Sequence, residues 1–171
     1  PKGVGFIYIN NEIQVKPFIY GGSQERNMRG GTENVYGIAG LSKAMDIAYD
    51  ELESQKQQVQ ELKSYMQDRL GEAFPDVVFN GDPSPENSLY TVLNVGLPPS
   101  PNAEMLLFNM DIEGVSISGG SACSSGSDIG SHVLNELLSE DNDRVNVRFS
   151  FSKLNTKEEL DYAIDRIKAT L

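Results

Sequence analysis

Between Leu41 and Leu70 the chain contains neither proline nor glycine. Across and just before that stretch, Ile38, Leu41, Met45, Ala48, Leu52, Val59, Leu62 and Met66 recur at steps of three and four, with Gln55 the one polar interruption. Such spacing puts the apolar side chains on one stripe of an α-helix. Gly71 and Pro75 supply the stop. At about 1.5 Å per residue the helix would run roughly 45–50 Å, longer than one domain of this size needs. It is therefore expected to connect two domains. A coiled-coil seam is the weaker reading, because the heptads are few and Gln55 interrupts them.

The flanking segments read as short elements. Gly5–Ile9 and Ile13–Ile19 are expected strands about an Asn10-Asn11 turn, followed by a Gly-rich polar stretch from Gly21 to Asn34. Beyond the helix, Val77–Asn80, Leu89–Val95 and Val115–Ile117 read as strands. A short helix, capped by Ser100 or Asn102, runs through Met105, Leu106 and Phe108 to Gly114. Ser131 is placed to cap a helix over His132–Leu138. Val145–Ser150 alternates, with Val147 and Phe149 on one face and Asn146, Arg148 and Ser150 on the other. Asn155 or Thr156 then caps a last amphipathic helix that buries Leu160, Ala163, Ile164 and Ile167, with Glu158 and Glu159 in capping-box range. The pattern is α+β: a small, mostly antiparallel sheet with helices packed against it.

Charge narrows the partners. Lys and Arg number 14 against 25 Asp and Glu, a net charge of −11. That disfavours nucleic acid and an anionic membrane surface as main partners. No apolar run approaches the ~20 residues of a membrane span. The one cysteine and one histidine are too few for an intrachain disulfide or a cysteine-based metal centre. A reducing cytoplasm is the expected compartment. The chain opens at Pro1-Lys2-Gly3 without an initiator Met, as a piece of a longer protein would.

Three features could carry chemistry. Cys123 sits among Gly, Ser and Ala from Ser118 to Ser127. Composition leaves two readings open: a small buried residue ending a strand, or a thiol on a mobile surface loop. The second suits a nucleophile, whose pKa of about 8.5 must be met by a local base or positive charge. Arg148 reads from periodicity alone as a solvated edge-strand arginine; otherwise its planar fork could grip a carboxylate. The Gly21–Asn34 stretch, with Arg26, Arg29 and Thr32, either brings donors to a phosphate or forms a hydrogen-bonded turn. It is neither a Walker loop nor a dinucleotide fingerprint.

Taken in order, several segments resemble the cysteine desulfurases of the nitrogen-fixation and iron–sulfur-cluster class. They are Pro1-Lys2-Gly3-Val4-Gly5, Gly21–Arg26 with Arg29–Asn34, Ser118–Ser127, Val147-Arg148-Phe149-Ser150 and the closing Glu158-Glu159-Leu160-Asp161. The resemblance runs end to end and implies the C-terminal part of a type I pyridoxal-phosphate-dependent transferase fold. Residues 1–34 would end the large cofactor domain, 35–74 form the connecting helix, and 75–171 the small C-terminal domain. The lysine that forms the Schiff base with pyridoxal phosphate would lie upstream of Pro1, so the chain by itself is expected to be inactive.

By that resemblance Cys123 is the catalytic cysteine and Arg148 binds the carboxylate of L-cysteine. Thr32 reaches the cofactor phosphate of a partner subunit, which implies a homodimer. The implied reaction gives L-alanine and a persulfide on Cys123, passed to a sulfur-acceptor or scaffold protein. A selenocysteine lyase, or a non-catalytic domain keeping the fold for interaction or dimerisation, are the alternative readings. Gly30 and Gly119 stand where relatives have serines, small-for-small changes expected to matter little. After Ser150 a usual Leu-Gly-Arg run is replaced by Phe151-Ser152-Lys153.

Overall fold

The computed structural model describes residues 2–119, 131–139 and 142–171. The backbone divides between Leu52 and Glu53 into two compact units. In the first, the Asn10 turn forms as expected: Ile13 N donates to Asn10 O at 2.9 Å and Glu12 N to Asn10 Oδ1 at 3.0 Å. The strands expected on either side do not form. No ladder pairs residues 5–9 with 13–19, and Phe6, Ile7, Tyr8 and Phe18 are exposed. A two-stranded hairpin without a covering layer is marginal at best, so turn and apolar content alone do not make it a sheet.

The single long helix is two: α1 (Val35–Asp50) and α2 (Leu52–Ala73), with Glu51 between them at φ −97°, ψ −1°. The Asn34 side chain caps α1 by accepting from Gly37 N at 3.1 Å. Although the apolar stripe continues across both, only its second half is covered. Val59, Leu62, Met66 and Leu70 of α2 are buried, whereas Ile38 of α1 remains exposed. Helical periodicity specifies a face, but only a neighbouring surface decides whether that face is buried.

The second unit is built on a three-stranded antiparallel sheet, β1 (Val78–Phe79), β2 (Val92–Leu97) and β3 (Val145–Ser150), in that spatial order. Leu93, Val95 and Leu97 of β2 and Val147 and Phe149 of β3 form its core face. Against them pack Met66 and Leu70 of α2, Leu106 and Met110 of α3 (Leu106–Ile112), and Ile164 and Ile167 of α5 (Lys157–Thr170). Each such side chain contributes about 1.5–3 kcal/mol relative to exposure. Of the two possible caps for α5, Thr156 is the one used, in a full capping box with Glu159. Ser131 caps α4 (His132–Leu137), its hydroxyl accepting from Leu134 N at 3.4 Å.

Strand β2 begins three residues later than Leu89, where the sequence pattern puts it. Lys63, the one buried charged residue among those described, explains the shift. Its ammonium donates to Ser88 Oγ at 2.6 Å and to Leu89 O at 3.1 Å, turning that stretch away from a ladder. Burial pushes the Lys63 pKa down, partly offset by Asp82. Val115–Ile117 likewise forms no strand; its pairing is confined to one bridge between Ser118 and Arg148. The antiparallel sheet with helices on its core face is the expected α+β arrangement.

Candidate functional site

Strict alternation in β3 sends Val147 and Phe149 into the core and Arg148 to the opposite face. There the register sets Asn94 of β2 directly across from Arg148, and Asn146 across from Gly96. On the other side of β3, Arg148 N donates to Ser118 O at 2.7 Å and Ser118 N to Arg148 O at 3.3 Å. Arg148 is thus the middle of a row formed by Asn94, Arg148 and Ser118 across the non-core face. Its Nε is buried and has no hydrogen-bond partner among the described residues. Arg148 thus stands on an outer strand of the sheet and on the face that periodicity gives it, but its Nε is withdrawn from water.

The rest of this face is lined by amides. Asn80 Nδ2 donates to Asn94 Oδ1 and to Asn146 Oδ1, each at 2.7 Å. Asn146 Nδ2 in turn donates to Arg144 O at 3.1 Å. Reading the sequence did not single out Asn80 or Asn94. The usable signal was Asn94 breaking the apolar run of its strand, Val92-Leu93-Asn94-Val95.

Cys123 lies outside the described residues. Ser118 starts its segment, and at about 3.3–3.6 Å per residue the five steps to Cys123 can span at most roughly 18 Å. The bridge therefore ties the start of the cysteine segment to the residue that carries the unpaired guanidinium nitrogen. Gly119 follows immediately, and a Cβ there would lie 2.8 Å from Leu107 Cδ1, a movable side-chain end.

Thr32 belongs to the first unit, in the Gly21–Asn34 stretch. It is exposed, with no hydrogen-bond partner among the described residues. The stretch departs from a simple turn in a way its composition did not announce. Glu25, Arg26 and Asn27 all have positive φ, at 47°, 56° and 67°. Non-glycine residues visit that region at a cost of roughly 1–2 kcal/mol each, and then normally singly. Gln24 Oε1 accepts from Gly31 N at 3.1 Å, closing the loop just before Thr32. Gly30 is buried, and a Cβ there would meet Gly21 N at 2.6 Å and Gly21 Cα at 2.7 Å. A serine at Gly30 is therefore not a minor change in this chain, contrary to the small-for-small expectation. Among the described residues no cluster of His, Cys, Asp and Glu could hold a metal ion, and no helix is long and apolar enough to cross a membrane.

Residues 1–163 match the family described as aminotransferase class-V. The chain belongs to that family. A Bacillus subtilis class-V relative, provisionally named cysteine desulfurase IscS 1, is 40% identical over 169 residues, covering 98% of this chain and 44% of its own length. The cysteine desulfurase IscS of Dictyoglomus turgidum is 38% identical, covering 96% and 41% respectively. Among solved structures, a NifS-like protein superposes with a TM-score of 0.74 at 29% identity, over 95% of this chain and 40% of that one. The chain thus spans less than half the length of the relatives it matches, and its α+β architecture is that of NifS-like proteins.

Proposed function

We propose that the whole protein is a pyridoxal-phosphate-dependent cysteine desulfurase that moves sulfur from L-cysteine onto Cys123. The observation that carries this reading is the buried, unpartnered Nε of Arg148, tied by the Ser118 bridge to the start of the cysteine segment. The names of the class-V relatives support the same chemistry.

The residues present fit such a cofactor and substrate. The exposed Thr32 hydroxyl, following Gly31 at φ 115°, offers a donor to a phosphate held by a second copy of the chain. This reading makes the protein a homodimer, with residues 1–34 completing the cofactor domain, 35–74 the connection and 75–171 the small domain. Arg148 supplies the fork for the substrate carboxylate. When bound, pyridoxal phosphate withdraws the electron pair left as the substrate Cα proton departs.

The Cys123 thiolate attacks the sulfur of the bound cysteine. An S–S bond forms as the substrate Cβ–S bond breaks, and the bond pair returns to carbon. Protonation of that carbon side gives L-alanine, while Cys123 keeps a persulfide. A sulfur-acceptor or scaffold protein collects it. A thiol doing this work must stay reduced, which places the protein in the cytoplasm.

The test uses the full-length enzyme supplied with L-cysteine. Alkylation and mass spectrometry should find one extra sulfur on the peptide carrying Cys123, with alanine released in equal amount. Alanine formation without sulfur on that peptide would overturn the reading.

A further inference from the structure

On the non-core face of the sheet the Arg148 guanidinium stands beside three amides, Asn80, Asn94 and Asn146, with Arg144 packed over Gly96. The hydrogen bonds of the amides and of Arg148 do not balance. Asn80 gives one amide hydrogen to Asn94 Oδ1 and the other to Asn146 Oδ1. Each carbonyl oxygen thereby accepts one of the two hydrogen bonds open to it, and both side-chain orientations are set. Flipping either amide would turn its own NH2 against that of Asn80. The two receiving residues then differ. Asn146 spends its NH2 on Arg144 O, whereas Asn94 Nδ2 donates to none of the described residues.

Asn94 is also the residue directly opposite Arg148 in the β2–β3 register. Directly opposed side chains on one face of an antiparallel pair lie about 4.5–5.5 Å apart at Cβ. Among the described residues Arg148 Nε is thus buried without an acceptor and Asn94 Nδ2 beside it donates to none, and neither donor can satisfy the other. A buried unpaired donor is costly, so Arg148 Nε calls for an acceptor group, one that the open Asn94 amide can also reach. A carboxylate, with two oxygens and about four lone-pair sites, meets that demand.

We propose that Asn94 is the second donor of the substrate-carboxylate clamp, and that Asn80 is the positioning residue that fixes its orientation. The proposal rests on the reading of Arg148 as the first donor. It assigns carboxylate recognition to adjacent strands of the small sheet, with both donors on rigid β-structure rather than on a loop.

The experiment uses the full-length, cofactor-loaded enzyme and measures kcat and KM for L-cysteine together with thermal unfolding. Asn94→Ala should raise KM about tenfold or more, as loss of a hydrogen bond to a charged group does, with a much smaller change in kcat. Asn94→Asp keeps the shape and the Asn80 contact but replaces the open NH2 with an anionic oxygen beside Arg148. It should raise KM more than Asn94→Ala and unfold at a higher temperature than Asn94→Ala, because the new carboxylate occupies the guanidinium itself. Asn80→Ala should raise KM by a smaller factor, again without a matching loss of kcat. Wild-type KM in Asn94→Asp would overturn the proposal, even if Asn94→Ala failed to fold. Arg148→Ala separates the two levels of the argument. If it too leaves KM unchanged, the carboxylate reading of this face falls; if it alone raises KM, only the role of Asn94 and Asn80 is lost.

Discussion

Arg148 and Ser118 exchange both of their backbone hydrogen bonds, at 2.7 and 3.3 Å, across an edge of β3 that has no further strand pairing among the described residues. One residue pair therefore joins the strand bearing the candidate carboxylate donor to the segment bearing the candidate nucleophile. Backbone pairing fixes the strand side of this relationship, and the side-chain chemistry is left free for a ligand.

Arg148→Ala in the full-length enzyme should weaken L-cysteine binding by about 1.5–3 kcal/mol, the range for a hydrogen bond to a charged group. The dependence of rate on cysteine concentration reads this directly. Cys123→Ser should behave differently: substrate still binds, but no sulfide is released on adding a reductant. Normal sulfide release from that variant would remove Cys123 from the mechanism.

Gly30→Ala should destabilise the protein by about 1–3 kcal/mol, the usual cost of forcing a methyl group into filled space. The obstacle is backbone, Gly21 N and Cα, which cannot rotate away. Gly119→Ala should cost less, because Leu107 Cδ1 can move aside. Thermal unfolding of the two variants side by side gives the order, and an equal or reversed order would contradict the close approach of Gly21 and Gly30.

Asp161 on α5 accepts from Arg69 Nε and from Tyr65 Oη of α2, each at 2.8 Å. Arg69, with Tyr65, holds its carboxyl below the ordinary value of 3.8. A depressed carboxylate stabilises the fold above its unfolded pKa, and that contribution is lost as pH falls through the lower folded value. Asp161→Asn should therefore lower the unfolding temperature at pH 7, and the gap to wild type should narrow as the pH is taken below about 4. A gap that stays constant with pH would show that the ion pair adds nothing.

Thr156→Ala removes the side-chain half of the capping box, in which Thr156 Oγ1 accepts from Glu159 N and Glu159 Oε2 from Thr156 N. The expected loss is about 1 kcal/mol. Thr156→Ser should recover most of it, as read by denaturant unfolding.

Residue order alone was enough for the parts of this protein that depend on near neighbours. The alternation of Val145–Ser150, a cap for α5 at one of the two residues Asn155 and Thr156, the Asn10 turn and the buried stripe of α5 all appear where the pattern places them. Each involves residues within a few positions of one another, so local sequence carries the whole signal. The ordered motifs that mark the family are equally a property of sequence.

Long-range pairing was decided by the tertiary structure. Residues 5–19 have strand composition but no ladder, because a strand exists only with a partner. Lys63, which the apolar stripe does not include, is buried and holds Ser88 and Leu89, and so delays the start of β2. Most consequential is the neighbourhood of Arg148. Its face follows from alternation, but its placement between Asn94 and Ser118, with Nε buried and Asn80 orienting the adjacent amide, depends on register between segments tens of residues apart. Periodicity tells which way a side chain points; only the paired strands determine what stands beside it.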